Sequence, residues 1–381
     1  MAIVGCDREE TPAAELVPSG TAAQSQLKVD PDDPTSCRPC HAEVVSEWEQ
    51  SMHSRSHEHR DPIFAGLRKL RIKVEGKEIA RKCAGCHYPR DAAMTEPAVA
   101  RKGVACASCH LVREIHRNRG PGARALVWSA GEMAGPHDGS ASPVHGTHNP
   151  RFMEDGAELC LTCHNATKNP HRVAACSTGP EWEAGRGDAC VSCHMPLVPG
   201  AAGRASSSRK THRSHAFPGP HRAWYQDDPS FLAQAVKLDV QLDLDAVVVV
   251  VKNLTKHAFP SGFPGRMVTF VAVGRDATGH SVWSSAPRSA VVDTPAAVLR
   301  KVYVDAAGEP VPAPFATELK EDTRLKTGET RRIRLEAVPA QVQTVEVTMF
   351  FYLLPPPLAK KIGVEGIEAQ PKPVLTVTAQ R

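Results

Sequence analysis

One pentapeptide pattern occurs five times between residues 37 and 194, and it constrains the fold more than anything else in the chain. The copies are Cys37-Arg38-Pro39-Cys40-His41, Cys83-Ala84-Gly85-Cys86-His87, Cys106-Ala107-Ser108-Cys109-His110, Cys160-Leu161-Thr162-Cys163-His164 and Cys190-Val191-Ser192-Cys193-His194. Two thiols three positions apart can each add across one of the two vinyl groups of a haem. The adjoining imidazole can then turn under the ring to bind its iron. Zinc requires the pairs to combine into closed four-ligand sets, which leaves five pairs awkward and gives the following His no task. Thioredoxin-type chemistry needs one pair on a βαβ frame. The pattern therefore predicts five covalently attached haem c groups. Cys37, Cys40, Cys83, Cys86, Cys106, Cys109, Cys160, Cys163, Cys190 and Cys193 are the thioether positions, and His41, His87, His110, His164 and His194 the proximal ligands.

The 381 residues suffice for about two domains. Aromatic residues make up 5% and Pro is frequent at 32, so the cysteine-rich part should form short helices joined by much loop. Such a segment lacks side chains for an ordinary core. Haem discs would fill that gap, and the haem-free N-terminal part is expected not to fold. The formal charge of +4 is not a nucleic-acid signal. Ten propionates and five ferric bis-His irons would bring the sum to roughly −1, and no basic block with interleaved aromatics appears. Ten of the twelve cysteines belong to the pattern. Cys6 and Cys176 remain, either paired or, for Cys176, as an inert thiol.

Residues 1–35 read as a lipobox-like start and a flexible tether. Ile3-Val4-Gly5-Cys6 resembles a bacterial lipobox, which makes Cys6 a candidate lipid anchor, and the alternative is a chance Gly-Cys. Haem ligation to this pattern takes place outside the cytoplasm, so an export signal is expected upstream of Met1. The expected location is the periplasm, or the outer membrane or cell surface as a lipoprotein. No later stretch is apolar for long enough to span a bilayer.

Residues 36–222 form the predicted pentahaem domain. After its first site, Val44, Val45, Trp48 and Met52 share one face of a short helix. The Trp48-x-x-Ser51-x-His53 that follows the first haem site resembles the cytochrome c-554 class of multihaem cytochromes, related to the haem arrangements of hydroxylamine oxidoreductase and nitrite reductase. Gly103-Val104-Ala105 before Cys106, His194-Met195-Pro196, and Ser214-His215-Ala216-Phe217-Pro218-Gly219-Pro220-His221 extend the resemblance over roughly 36–222. It implies proximal ligands supplied locally and distal ligands supplied from elsewhere in the chain. His53 is by this resemblance a distal ligand, to a haem other than that of His41. His116, His145, His148, His171, His215 and His221 also lie near haem sites, each either a ligand or a surface imidazole. His57 and His59 read as a wet face. The short separations from His87 to His110 and from His164 to His194 predict neighbouring haems.

A joining helix is expected over 223–235, interrupted near Pro229. The character then changes. Val236, Leu238, Val240, Leu242 and Leu244 alternate with Lys237, Asp239, Gln241 and Asp243, which predicts a half-buried strand. Residues 247–251 suit a covered strand, and further strands are expected near 266–274, 299–304, 330–336, 343–353 and 373–379. The fold class is therefore a mainly α, loop-rich multihaem cytochrome domain followed, over 236–381, by an all-β immunoglobulin-like sandwich. His257, in a His-Ala-Phe-Pro loop of this second domain, is either a distal ligand contributed across the boundary or a turn-stabilising histidine.

The expected function is electron transfer through closely packed bis-His haems, between redox partners such as a quinol-linked donor and a downstream cytochrome or terminal reductase. An alternative is a reductase of a small nitrogen or sulfur oxyanion, or of NO, at a five-coordinate haem. The related nitrite reductases typically carry a Cys-x-x-Cys-Lys site, and all five sites here end in His. A third reading is a structural subunit of a multihaem conduit or filament, through homo- or hetero-assembly.

Overall fold

The computed structural model describes residues 29–137, 142, 144–165, 167–187, 189–204, 208–285 and 297–381. Cys6, the lipobox-like stretch and most of the tether lie outside the described residues.

Asp and Pro punctuate the first half of the chain into short helices. Asp33 and Asp61 each cap a helix whose first residue is Pro, and the Asp61 carboxylate accepts from the Phe64 amide at 3.0 Å. Proline costs nothing there, because that N–H has no partner inside the helix. The longest helix, Pro62–Glu75, has 14 residues and ends at Gly76. No helix is long and apolar enough to cross a membrane among the described residues. The expectation of a mainly α segment needs one amendment. Small ribbons pair Val112–Ile115 with Leu126–Trp128, Glu132–Ala134 with Gly146–His148, Thr167–Lys168 with Ala174–Cys176, and Leu197–Pro199 with Thr211–Arg213. Strands of two to four residues carry too few alternations to leave a period in the sequence.

Two four-residue helices, Arg222–Tyr225 and Ser230–Ala233, flank Pro229 and lead into the strands. Ala246–Asn253 lies between Val236–Leu242 and Thr330–Glu336, all antiparallel, with Val249 opposite both Val240 and Ile333. A second antiparallel sheet runs in the order Ser281–Ser284, Met267–Arg275, Thr344–Tyr352 and Lys372–Gln380, with Val298–Leu299 also paired to Met267–Arg275. Val249, Val251, Phe270, Ile333, Val347 and Met349, drawn from both sheets, are buried in one apolar core.

That core also takes in residues of the haem-motif segment. Ile63 and Trp224 belong to it, and the Trp224 indole donates to the Gln370 carbonyl at 3.1 Å. A second attachment is polar. Asn169 donates to the carbonyls of Ala313 (2.9 Å) and Ala316 (2.6 Å), and Tyr303 Oη to that of Ala174 (3.0 Å).

Candidate metal centres

Each motif is built on about one helical turn. Cys106–His110 and Cys190–His194 are helices in their own right, Cys83, Cys86 and His87 end the helix Ile79–His87, and Cys37 and Cys160 each close a four-residue helix. The i, i+3 spacing puts both thiols on one face, with the imidazole at i+4 beside them. In the first and fourth motifs the amides of His41 and His164 reach back to the carbonyls of Cys37 (3.0 Å) and Cys160 (2.9 Å), which closes that turn.

The imidazoles are oriented through their Nδ1 atoms. His41, His87, His110 and His194 donate Nδ1–H to the carbonyls of Ala202 (2.8 Å), Ser56 (2.9 Å), Ala134 (2.7 Å) and Pro218 (2.8 Å). A carbonyl can only accept, so the proton sits on Nδ1 and Nε2 keeps its lone pair for a metal. His145, His215 and His257 do the same toward Gly146 (3.0 Å), Arg213 (2.9 Å) and Ala258 (2.9 Å).

Four motif imidazoles face a second imidazole drawn from elsewhere in the chain. Ring centres are 6.5 Å apart for His41 and His145, 6.0 Å for His110 and His215, 6.2 Å for His164 and His53, and 6.5 Å for His194 and His257. Rings in direct contact stack closer, as Phe64 does on His87 at 3.5 Å. A first-row metal held at ~2 Å by each nitrogen, with ~1 Å from nitrogen to ring centre, spaces two rings by roughly 6 Å. The residues thus fit a haem iron between each pair.

Burial favours the neutral form of seven of these imidazoles. It pulls His53 and His215 down to about 3 and His87 to about 4, and it lowers His110, His164, His194 and His257 as well. A ligating imidazole must be unprotonated, so the environment favours the form a metal needs.

The remaining histidines are placed differently. His87 faces no second imidazole among the described residues. His116 is partly exposed and bonds the Glu114 carboxylate at 3.0 Å. His148 has both ring nitrogens buried without a hydrogen-bond partner. His221 is buried deeply enough for its pKa to fall to about 3, and its ring lies parallel to Tyr225 at 6.1 Å. His59 is exposed, but His57 packs against Tyr88 at 4.8 Å and is not the wet residue its sequence suggests.

Thiol contacts relate the motifs to each other. Cys37 lies against Cys106, Cys86 against Cys163, and Cys160 against Cys190. Within each pair the contact holds one thiol down, that of Cys37, Cys163 or Cys190, and pushes its partner up. The first motif therefore adjoins the third, and the fourth adjoins both the second and the fifth. The turn at Gly122 packs onto Gly85, beside the Cys86 thiol that meets the fourth motif.

Several positioning residues were given no role by the sequence, although Gly103 and Phe217 lie in segments that carry the resemblance. Glu47 Oε2 accepts from the His215 amide at 2.8 Å and from His212 Nε2 at 3.3 Å. Phe217 lies edge-on to both His53 (4.4 Å) and His215 (5.7 Å). Gly103, at φ +68°, approaches the His53 carbonyl so closely that a Cβ would sit 2.5 Å from it, and the next amide, of Val104, donates to that carbonyl at 3.0 Å. The loop of His257 is clamped from both sides of the chain. Glu181 accepts from the Ala258 amide (3.3 Å) and Ser261 Oγ (2.7 Å), and Arg324 pairs with Glu181 (2.7 Å) while donating to the Pro260 carbonyl (3.1 Å).

A family model described as cytochrome c554 and c-prime matches residues 36–111. The fold is similar to that of a penta-heme cytochrome c552 from Thermochromatium tepidum. The TM-score is 0.75 and the identity 26%, over 91% of this chain and 97% of that one. No curated protein sequence matches.

Proposed function

We propose, starting from a chain that is a multihaem c-type cytochrome carrying electrons, that it holds five haem c groups and relays electrons among them at the cell exterior. The first, third, fourth and fifth haems take His41 with His145, His110 with His215, His164 with His53, and His194 with His257. Iron held by two imidazoles supplies one-electron exchange and offers no open position to a substrate. The observation that carries this reading is the recurrence of a 6.0–6.5 Å facing pair at four motifs. The chain's own part is to fix the tautomer of seven imidazoles through their Nδ1–H, to favour the neutral form of those it buries deeply, and to exclude water. The thiol contacts, joined by Cys109 of the third motif, which the Cys163 thiol of the fourth helps push up, support a branched relay with the fourth site as its junction. Cys40 and Cys193 are the exposed thiols among the described motif cysteines, which favours the first and fifth sites as the two ends open to partners. Redox proteins such as a quinol-linked donor and a downstream cytochrome would dock there. We read the two strand sheets as an immunoglobulin-like sandwich that presents His257 and orients docking.

A second reading is favoured by one observation. His87 has no facing imidazole among the described residues, and Phe64 stacks on its ring at 3.5 Å. The second site would then be open, suited to a small nitrogen or sulfur oxyanion or to NO.

Ferric EPR with magnetic circular dichroism on the holoprotein tests both. Four low-spin centres and one high-spin centre that responds to cyanide, nitrite or NO would support the relay with an open second site. A fifth low-spin centre and no response would remove the reductase reading. More than one high-spin centre would remove the bis-His pairing.

A further inference from the structure

We propose that Arg266 is the counter-charge for a haem propionate at the fourth or fifth site, and that it thereby sets the reduction potential of that haem. This rests on the reading that residues 160–164 and 190–194 hold haem.

Arg266 stands immediately before the strand Met267–Arg275 and points among groups of the haem-bearing segment. Its charge acts on His164, His194, His221 and His257, so it lies within electrostatic reach of two facing pairs. Its Nη1 donates to the Ser261 carbonyl at 2.6 Å, whereas its Nε is sealed from solvent with no partner. By area the residue is only partly covered, yet protein surrounds it closely enough for burial to pull its pKa down to about 10. No carboxylate pairs with it among the described residues. Asp61 and Cys176 are the acidic groups that act on it, and both act only at a distance.

An enclosed guanidinium without an anion is among the least favourable arrangements a protein interior can hold. The other buried arginine of this interface, Arg324, has Glu181 and Asp322. Arg266 is also held in place by its cradle. Gly262, at φ +79°, leaves room for Nη1 where a Cβ would stand 2.6 Å away. A guanidinium offers five N–H donors in a planar fork that matches a carboxylate. The carboxylates that a haem brings to these sites are its propionates. An ionised propionate favours ferric iron, and a guanidinium beside it offsets that charge and keeps it ionised. The paired haem should have a raised midpoint that does not vary with pH around neutrality.

The test is spectroelectrochemical titration of the holoprotein and of R266Q and R266K, with the haem count of each checked by mass. In R266Q one midpoint is expected to fall at about pH 8 by roughly tenfold in its reduction equilibrium, about 59 mV for one electron. That midpoint should climb back as the pH is lowered toward about 5, because the orphaned propionate takes up a proton. R266K keeps the charge and should recover most of the shift. Unchanged midpoints and unchanged pH dependence in a fully loaded R266Q would overturn the proposal. A haem count short at 160–164 or 190–194 in the parent protein would instead overturn the site reading beneath it. If R266Q does not mature, a crystal structure of the parent holoprotein decides. A propionate oxygen within about 3.2 Å of Arg266 Nε or Nη supports the assignment, and propionates all bonded elsewhere overturn it.

Discussion

At the scale of single residues, the chemistry depends on how each imidazole is held. His257 is the clearest test, because its partner His194 is 63 positions earlier and in a different part of the fold. H257A is expected to keep every haem attached, since on the proposed reading the fifth would be bonded through Cys190 and Cys193, while converting one low-spin ferric signal to high-spin. EPR read beside an intact mass checks this. Glu181 makes a pH prediction. Burial alone would raise its carboxyl, but the Arg324 charge and hydrogen bonds from Arg324, Ser177 and Ser261 outweigh it and hold the pKa at about 2. A depressed folded pKa means that the stabilisation is complete above the ordinary value of 4.5 and is lost as pH falls toward about 2. Melting of the strand region should therefore drop steeply across that window in the parent and less steeply in E181Q. At neutral pH E181Q should cost about 2 kcal/mol. That is below the ~3–5 kcal/mol of a wholly unpaired buried charge, because Asp322 still pairs with Arg324.

At the scale of elements, short motif helices hold the ligands and long strands hold the helices in place. Phe351, in Thr344–Tyr352, is buried and meets Trp224 at 6.1 Å and Phe259 at 6.0 Å. It thus touches both the helix Arg222–Tyr225 and the loop of His257. F351A is expected to cost ~3–5 kcal/mol and to broaden the signal of the fifth site, whereas V377A, on the same sheet but remote from that loop, should lower stability without changing the spectrum. Denaturant melts followed by both circular dichroism and haem absorbance separate the two outcomes. The strands themselves were legible. Alternation from 236 and the apolar run 247–251 correspond to Val236–Leu242 and Ala246–Asn253, and the stretches near 330–336, 343–353 and 373–379 to Thr330–Glu336, Thr344–Tyr352 and Lys372–Gln380. Ser281–Ser284, Glu318–Asp322 and the small ribbons were not. Their burial does not alternate cleanly, or they are too short to show a period.

At the scale of the whole molecule, the two halves are stabilised by different means. The strand sheets share a continuous apolar core, while a smaller core of Phe64, Ala84, Tyr88 and Ala100 lies in the motif-bearing half. Protein made without cytochrome c maturation is therefore expected to lose its helical signal and to be cut readily between about residues 36 and 222. A protease-resistant fragment should begin near residue 236. A compact, resistant apo N-terminal half would contradict the idea that haem supplies its core.

The sequence by itself determined where haem can attach, because two thiols for the vinyl groups and an imidazole for the iron lie within one turn of chain. It also determined that strands follow residue 236, since alternation is written locally. Tertiary structure alone decided which imidazole faces which: His41 meets His145, and His194 meets a loop beyond the domain change. It also left His116 partly exposed against Glu114, His148 with both ring nitrogens buried and unpartnered, and His221 parallel to Tyr225. The reason is that a facing imidazole has to arrive through space. Its position is set by packing between distant segments, as with Glu47 on His215, Gly103 on His53 and Glu181 on the loop of His257, and no local pattern records that packing.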